Sequence, residues 1–466
     1  MTSINSSVPL DWGGLLRRRD LLRVGSLGIA ASAMPAGFNV RAQAAPSKSG
    51  APATARSVIL LYLSGGVTHI DSFDPKPDAP REIRGTLGAI ATTVPGMQFN
   101  ETLPCLARRA EHLAVVRGFS HDSNDHFIGQ AHCLSGRPVT AQQTFSEPNV
   151  GAIVDKMLGP RNGFPGYIAV PGTTRAGPEF PFTGGWLGRE HDPFCTGGMQ
   201  PLNLAEEQAN MQALQSPPDL TAARLSERRS LLHQLETRFS DLEAPGTANL
   251  LAKQYGIAFD LLLSPAVRQA FDLRQEDART RDRYGRTKIG QRCLLARRLV
   301  EADARFVMVD YGVDADSGNT WDNHNAPGQN HPPICQIVKE PYHLAGTDRA
   351  FAALLDDLHD RGRLKETLVV FLTEFGRTPR INKDGGRDHW CWAGSIFFAG
   401  GGTQGGQAIG VTDEQGAYPI HRAYGPGDVA ATIYKALGLN AETMLYNHEG
   451  RPIPMLPAGN PIDEIL

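Results

Sequence analysis

The chain has 466 residues, 41% hydrophobic and 20% charged, and a formal net charge of −3. This is the composition of a globular protein with a substantial core, and it excludes a disordered chain. The mildly acidic balance gives no electrostatic reason to bind nucleic acid or an anionic membrane.

The first element in chain order is not part of a fold. Arg17, Arg18 and Arg19 precede Leu21, Leu22 and Arg23, and a weakly apolar Gly/Ala/Ser stretch runs on to a small-residue cleavage site at Ala42–Ala44. The pattern predicts a twin-arginine signal peptide over residues 1–44, read by the twin-arginine export machinery and removed on delivery to the periplasm or the exterior. Val24 to Phe38 is too short and too rich in glycine and alanine for a stable membrane anchor, which needs about 18 apolar residues. Cleavage removes five arginines and two aspartates and takes the formal charge to −6. Twin-arginine export carries folded chains, often already loaded with a metal or cofactor, which adds modest weight to a metalloprotein reading.

Residues 45–56 read as a Pro/Ala/Ser linker. Ser57 to Gly66 is then an apolar run stopped by glycines, the signature of a strand buried on both faces. The same signature recurs at 112–121, 304–312, 367–376 and 395–402. Helical periodicity occupies 124–136, 149–158, 290–302, 348–362 and 426–439. This alternation predicts a doubly wound, mostly parallel α/β sheet over 57–466 with helices on both faces and ligands beyond the carboxyl ends of its strands. Residues about 202–286 are charged and helix-periodic and read as a helical insertion. The stretch 398–406 lacks the Lys-Ser/Thr end of a phosphate loop and reads as a mobile surface loop. Six cysteines without a C-x-x-C pair exclude a zinc ribbon, and no disulfide is assigned.

Five short clusters carry potential chemistry: His69 with Asp71, Asp125 with His126, Asp322 with His324, Glu374 with Arg377, and Asp388 with His389. Each alone is weak, because His and Asp also satisfy turn backbones. Four of the five fall at or just past predicted strand ends. Mixed imidazole and carboxylate donors suit a divalent metal: zinc first, as one or two ions, with manganese, iron or calcium as alternatives. In "HDSNDHFIGQAHCLSG" (121–136) Asp122 or Ser123 is the expected N-cap, with Asp125 and His126 in the first turn and Gly136 as the stop. First-turn amides would then receive a phosphate or sulfate beside His126. His121 and His132 read as bystanders.

The segments "LYLSGGVTHIDSFDPKPDAP", "RGFSHDSNDHFIGQAHCLSG", "YGRTKIGQRCLLARRLVEA" and "TEFGRTPRINKDGGRDHWCWAGSIFFAGGG" closely resemble the domain of unknown function 1501 family, a group of twin-arginine-exported bacterial proteins. That family is placed in the alkaline-phosphatase-like superfamily of phosphatases, sulfatases and phosphoglycerate mutases. The resemblance implies that fold and site. It sets His126 at the superfamily's nucleophile position, ten residues before Gly136. Glu374 and Phe375 fall where a metal-binding pair stands, His389 matches a late metal-binding His, and Asp322 with His324 matches a further ligand element. The superfamily's first-strand metal Asp is missing near Ser64 and Gly65, with Asp71 or His69 as substitutes. "CLSGR" lacks the proline of a sulfatase formylglycine motif, and Cys133 lies at the end of the helix.

The expectation is an exported metal-dependent hydrolase of phosphate or sulfate esters, acting on a small-molecule or polysaccharide ester. His126 would serve as metal ligand, phospho-histidine nucleophile or general acid, and Arg377 would stabilise charge. The alternative is a non-catalytic binding or scaffold protein of the envelope that keeps the fold.

Overall fold

The computed structural model describes residues 52–172, 183–197, 221–239, 255–314, 318–329, 331–447 and 449–466. Among them no helix is long and apolar enough to cross a membrane. The signal peptide expected over 1–44 lies outside the described residues.

One eight-stranded sheet organises the chain. Its strands are Ser57–Leu63 (β1), Ala114–Phe119 (β2), Tyr167–Val170 (β3), Phe194–Cys195 (β4), Phe306–Asp310 (β5), Thr367–Thr373 (β6), Gly394–Ala399 (β7) and Gln407–Ile409 (β8). In space they run β8-β2-β7-β6-β1-β5-β3-β4. Every neighbouring pair is parallel except those of β7, which is antiparallel to both β6 and β2. Five strands coincide with the apolar runs. The other three, β3, β4 and β8, have only four, two and three residues, too few to produce such a run.

All seven residues of β1 are buried. Alternation sends Ile59, Leu61 and Leu63 to one core and Val58, Leu60 and Tyr62 to the other. The predicted helices appear as His126–Ser135 (α1), Val150–Leu158 (α2), Lys288–Glu301 (α3), Leu344–Asp360 (α4) and Pro426–Ala436 (α5). Apolar stripes of α3 (Ile289, Leu294, Leu295) and α4 (Leu354, Leu358) close the first core, while α1 (Leu134), α2 (Val150, Ile153) and α5 (Val429, Ile433) close the second. The result is an α/β protein with a mostly parallel sheet between two helical layers. Within 202–286 the segments Ala222–Phe239, Pro265–Phe271 and Ala278–Tyr284 are helical, and Val267, Phe271 and Tyr284 enter the first core.

Two loop expectations change. The supposed linker is pinned at its end, where the amides of Thr54 and Ala55 donate to Ala436 O at 2.9 and 2.8 Å and Arg56 pairs with Asp303 at 2.8 Å. Phe398 and Ala399 end β7, and residues 400–406 form a surface turn into β8 pinned by hydrogen bonds, with the Gly401 amide donating to Leu364 O at 2.9 Å.

Helix α1 starts later than expected because Asp125, not Asp122 or Ser123, is its cap. The Asp125 carboxylate accepts from the amides of Phe127 at 2.9 Å and Ile128 at 3.0 Å. Those two donors are therefore spent on the protein, and the expected anion dock loses them. Gly136 ends the helix with φ +70°, and a Cβ there would lie 2.4 Å from the Ala430 side chain of α5. Gly136→Ala is expected to cost about 1–3 kcal/mol through strain and overpacking, read as a lowered denaturation midpoint.

Candidate metal centre

The carboxyl ends of β1, β2 and β6 lie on the same sheet edge as the amino end of antiparallel β7, and that edge collects the cluster. Beyond β2 comes the cap of α1 with His126 as the first helical residue. Beyond β6 comes Glu374, then Gly376–Arg377, which pairs antiparallel with His389–Trp390 so that Arg377 lies opposite His389. Asp322, Asn323 and His324 arrive on the loop after β5. Three chain segments far apart in sequence thus meet at one carboxylate.

That carboxylate is Asp322. Its Oδ1 lies 3.0 Å from His389 Nε2 and 3.1 Å from His324 Nε2, and its Oδ2 lies 3.3 Å from His126 Nε2. The Nε2 atoms of His324 and His389 are 2.8 Å apart. The imidazoles crowd together, with His126 and His389 edge-to-face at a centroid distance of 4.3 Å and His324 and His389 tilted at 4.4 Å. Burial opposes the Asp322 charge, yet the Nε2–H bonds that the three histidines donate when protonated, together with the Arg377 cation, hold its carboxyl well below the usual range.

The outer nitrogen of each ring decides what the inner one presents. His126 Nδ1 meets the Glu374 carboxylate, His324 Nδ1 meets Asp388 Oδ1 at 2.7 Å, and His389 Nδ1 meets the Asn124 carbonyl at 2.8 Å. All three partners are acceptors, so each Nδ1 carries the proton and donates. In the neutral rings each Nε2 then presents a lone pair toward an anionic oxygen. Such an arrangement is repulsive until protons or a cation fill it. Burial lowers His389, favouring its neutral form, whereas the hydrogen bond to Asp322 raises His324.

A divalent cation satisfies this donor set with one group. His324 Nε2, His389 Nε2 and Asp322 Oδ1 form a triangle with sides of 2.8, 3.0 and 3.1 Å. Ligands held tetrahedrally at about 2.0–2.2 Å from zinc sit about 3.3–3.6 Å apart, so the triangle need open by only about half an ångström. The Nδ1 partners are the outer hydrogen bonds that orient metal-ligating histidines. His126, Asp322 and His389 also lie with their ligating atoms within 4.8 Å of one another.

Several of the residues that the sequence singles out serve other purposes in the structure. Asp71 and Arg387 are both fully buried and pair at 2.7 Å, and Thr68 donates to the same carboxylate at 2.7 Å, so Asp71 neutralises a core cation. His69 is buried with Nε2 donating to Gly416 O at 2.7 Å, which fastens the 413–418 turn. Asp125 caps α1, and Asp388 orients His324. Glu374, fully buried, accepts from the Gly65 amide at 2.8 Å and from His126, so it acts behind the histidine. Arg377 is 1% exposed and donates to Asp322 at 2.9 Å, Gly66 O at 2.9 Å, Arg387 O at 3.1 Å and Trp321 O at 2.9 Å. Its donors are consumed within the protein, which makes it a positioning residue for Asp322 and the β1 loop.

The missing first-strand Asp is explained by the same loop. Gly65 has φ +125°, and a Cβ there would lie 2.8 Å from the Trp321 side chain. The backbone comes close enough to clamp Glu374 and leaves no room for a ligand side chain. Residues not foreseen include Asn124, whose carbonyl accepts from His389 and whose Oδ1 accepts from the Cys391 amide at 2.7 Å. Phe375, which the resemblance set at a ligand position, instead floors the cluster, with its ring 4.5 Å from His389 and 5.3 Å from His126. Neither residue type signals metal chemistry in a sequence.

The fold and the cluster together define an α/β protein with a candidate histidine–carboxylate metal centre at the carboxyl edge of its sheet. The chain belongs to the family described as Protein of unknown function (DUF1501), whose model matches residues 55–466. No curated protein matches it in sequence. Among solved structures it is similar to the phosphonate monoester hydrolase SpPMH from Silicibacter pomeroyi, at 11% identity and TM-score 0.37, covering 88% of this chain and 78% of that one. It is also similar to the PsFucS1 sulfatase from Pseudoalteromonas sp., at 13% identity and TM-score 0.36, covering 82% and 68%. The lipoteichoic acid synthase LtaP from Listeria monocytogenes matches at 10% identity and TM-score 0.35, covering 89% and 90%.

Proposed function

We propose that this protein is an exported, metal-dependent hydrolase of phosphate or sulfate esters with an alkaline-phosphatase-like site. Residues 1–44 act as its twin-arginine signal, and residues about 202–286 are a helical insertion in its single α/β domain. The observation that carries the reading is the convergence of three Nε2 lone pairs on the two oxygens of Asp322. His126, Asp322, His324 and His389 would hold the metal, with zinc favoured by the imidazole-rich donor set. A bound divalent ion supplies Lewis acidity toward an ester oxygen and lowers the pKa of a bound water. His126, fixed by Glu374, stands at the mouth of α1 with its ring held in one tautomer. Arg377 keeps Asp322 ionised and oriented, and Phe375 excludes water from beneath the rings.

The test uses the mature chain loaded with zinc or manganese and assayed on p-nitrophenyl phosphate, bis(p-nitrophenyl) phosphate and p-nitrophenyl sulfate. His126→Ala is expected to lose about 10²–10⁴-fold in kcat/KM on the ester that turns over, with its circular dichroism unchanged. Inertness of the metal-loaded wild type toward all three, or an undiminished variant, would overturn the reading in favour of a binding or scaffold role.

A further inference from the structure

A second cluster of ligating groups lies on the far side of α1. His121, Asp122 and His132 each offer one ligating atom, and these atoms lie within 4.8 Å of one another. All three line a cavity of about 480 Å³ between α1, the start of α5 and the Trp392 loop. None belongs to the Asp322 cluster.

His132 is 8% exposed, and its ring makes no hydrogen bond among the described residues. It faces Asp122, with Nδ1 to Oδ1 at 3.7 Å. That is too long for a hydrogen bond, yet close to the separation of about 3.4 Å between two ligands of one tetrahedral zinc ion. The His132 side chain is 11% exposed, so a ligand in the cavity can reach its ring. His121 is oriented as metal-binding histidines are. Its Nε2 donates to the Glu374 carbonyl, which fixes the tautomer and leaves the lone pair on Nδ1. That lone pair meets the Ser123 amide at 3.2 Å, a long contact in a half-exposed loop where water can take over the amide. Burial pushes His132 down to about 4 and lowers His121, the direction that favours the neutral form of each ring. The Asp122 carboxylate is 80% exposed and can swing to meet an ion.

From this geometry we infer that His121, Asp122 and His132 form a second divalent-metal site of the zinc class, with its fourth position open to the cavity. Three protein ligands and one open position are the pattern of a site that takes water or a ligand oxygen. Glu374 links the two centres: its carboxylate holds His126 and its carbonyl holds His121.

Cobalt(II) binding to the mature chain tests this, by equilibrium dialysis with elemental analysis and by visible absorption. Asp322→Asn is expected to retain one ion per chain with a d–d spectrum. Adding His132→Gln is expected to abolish that ion, and adding Asp122→Asn instead, at an exposed position that leaves the fold intact, to weaken it at least about tenfold. Undiminished binding in both double variants, or no binding to Asp322→Asn, would overturn the second site. Retention of the wild-type stoichiometry by Asp322→Asn, with loss of one ion on His132→Gln, would support the second site while refuting the Asp322 centre.

Discussion

Asp322→Asn is expected to abolish metal-dependent hydrolysis and to weaken the main ion by at least about 100-fold, because one carboxylate serves all three inward-facing imidazoles. A native-state ligand at 100 times its Kd stabilises a fold by about 2.7 kcal/mol. The zinc-dependent gain in denaturation midpoint expected of the wild type should therefore shrink to whatever His121, Asp122 and His132 contribute. The metal-free variant should fold normally. Its amide can donate to an Nε2 lone pair that the native carboxylate repels, while its oxygen still accepts from Arg377. Differential scanning calorimetry with and without zinc checks both halves. An unchanged zinc-dependent gain would remove Asp322 from the centre.

Asp71→Asn should do the reverse. The Asp71–Arg387 pair is fully buried, at 2.7 Å, and Arg387 also donates to Ile83 O at 2.7 Å and Thr378 O at 3.2 Å. Removing the carboxylate charge strands a buried guanidinium and is expected to cost about 3–5 kcal/mol. Zinc stoichiometry should stay at the wild-type value, since Asp71 touches none of the Asp322 cluster. Equilibrium denaturation and elemental analysis separate the two effects. Loss of an ion without loss of stability would return Asp71 to the ligand set.

These two aspartates show where sequence reading stops. Both sit in short His/Asp clusters after strands, in "THID" and "WDNH", and nothing in either motif marks one as a ligand and the other as a counter-ion. The difference comes from what approaches: Arg387, 316 positions away, reaches Asp71, whereas His126, His324 and His389 reach Asp322. Arg377 makes the same point. "TEFGR" at a strand end reads as a charge-stabilising pair, but the chain folds Gly65 and Gly66 over it and occupies its donors with carbonyl oxygens.

The sequence by itself determined the alternation of buried strands and amphipathic helices, because burial on both faces forces continuous apolar runs and a one-sided core forces helical periodicity. It also placed His126 in the first turn of α1 and Gly136 at its stop, since helix-stop chemistry is local, although it set the cap two or three residues too early. Only the tertiary structure decided which acidic and imidazole groups share a point in space, which nitrogen of each ring faces inward, and that His132 opens onto a cavity. Those facts depend on contacts between residues hundreds of positions apart, and no local pattern of residues encodes a distance.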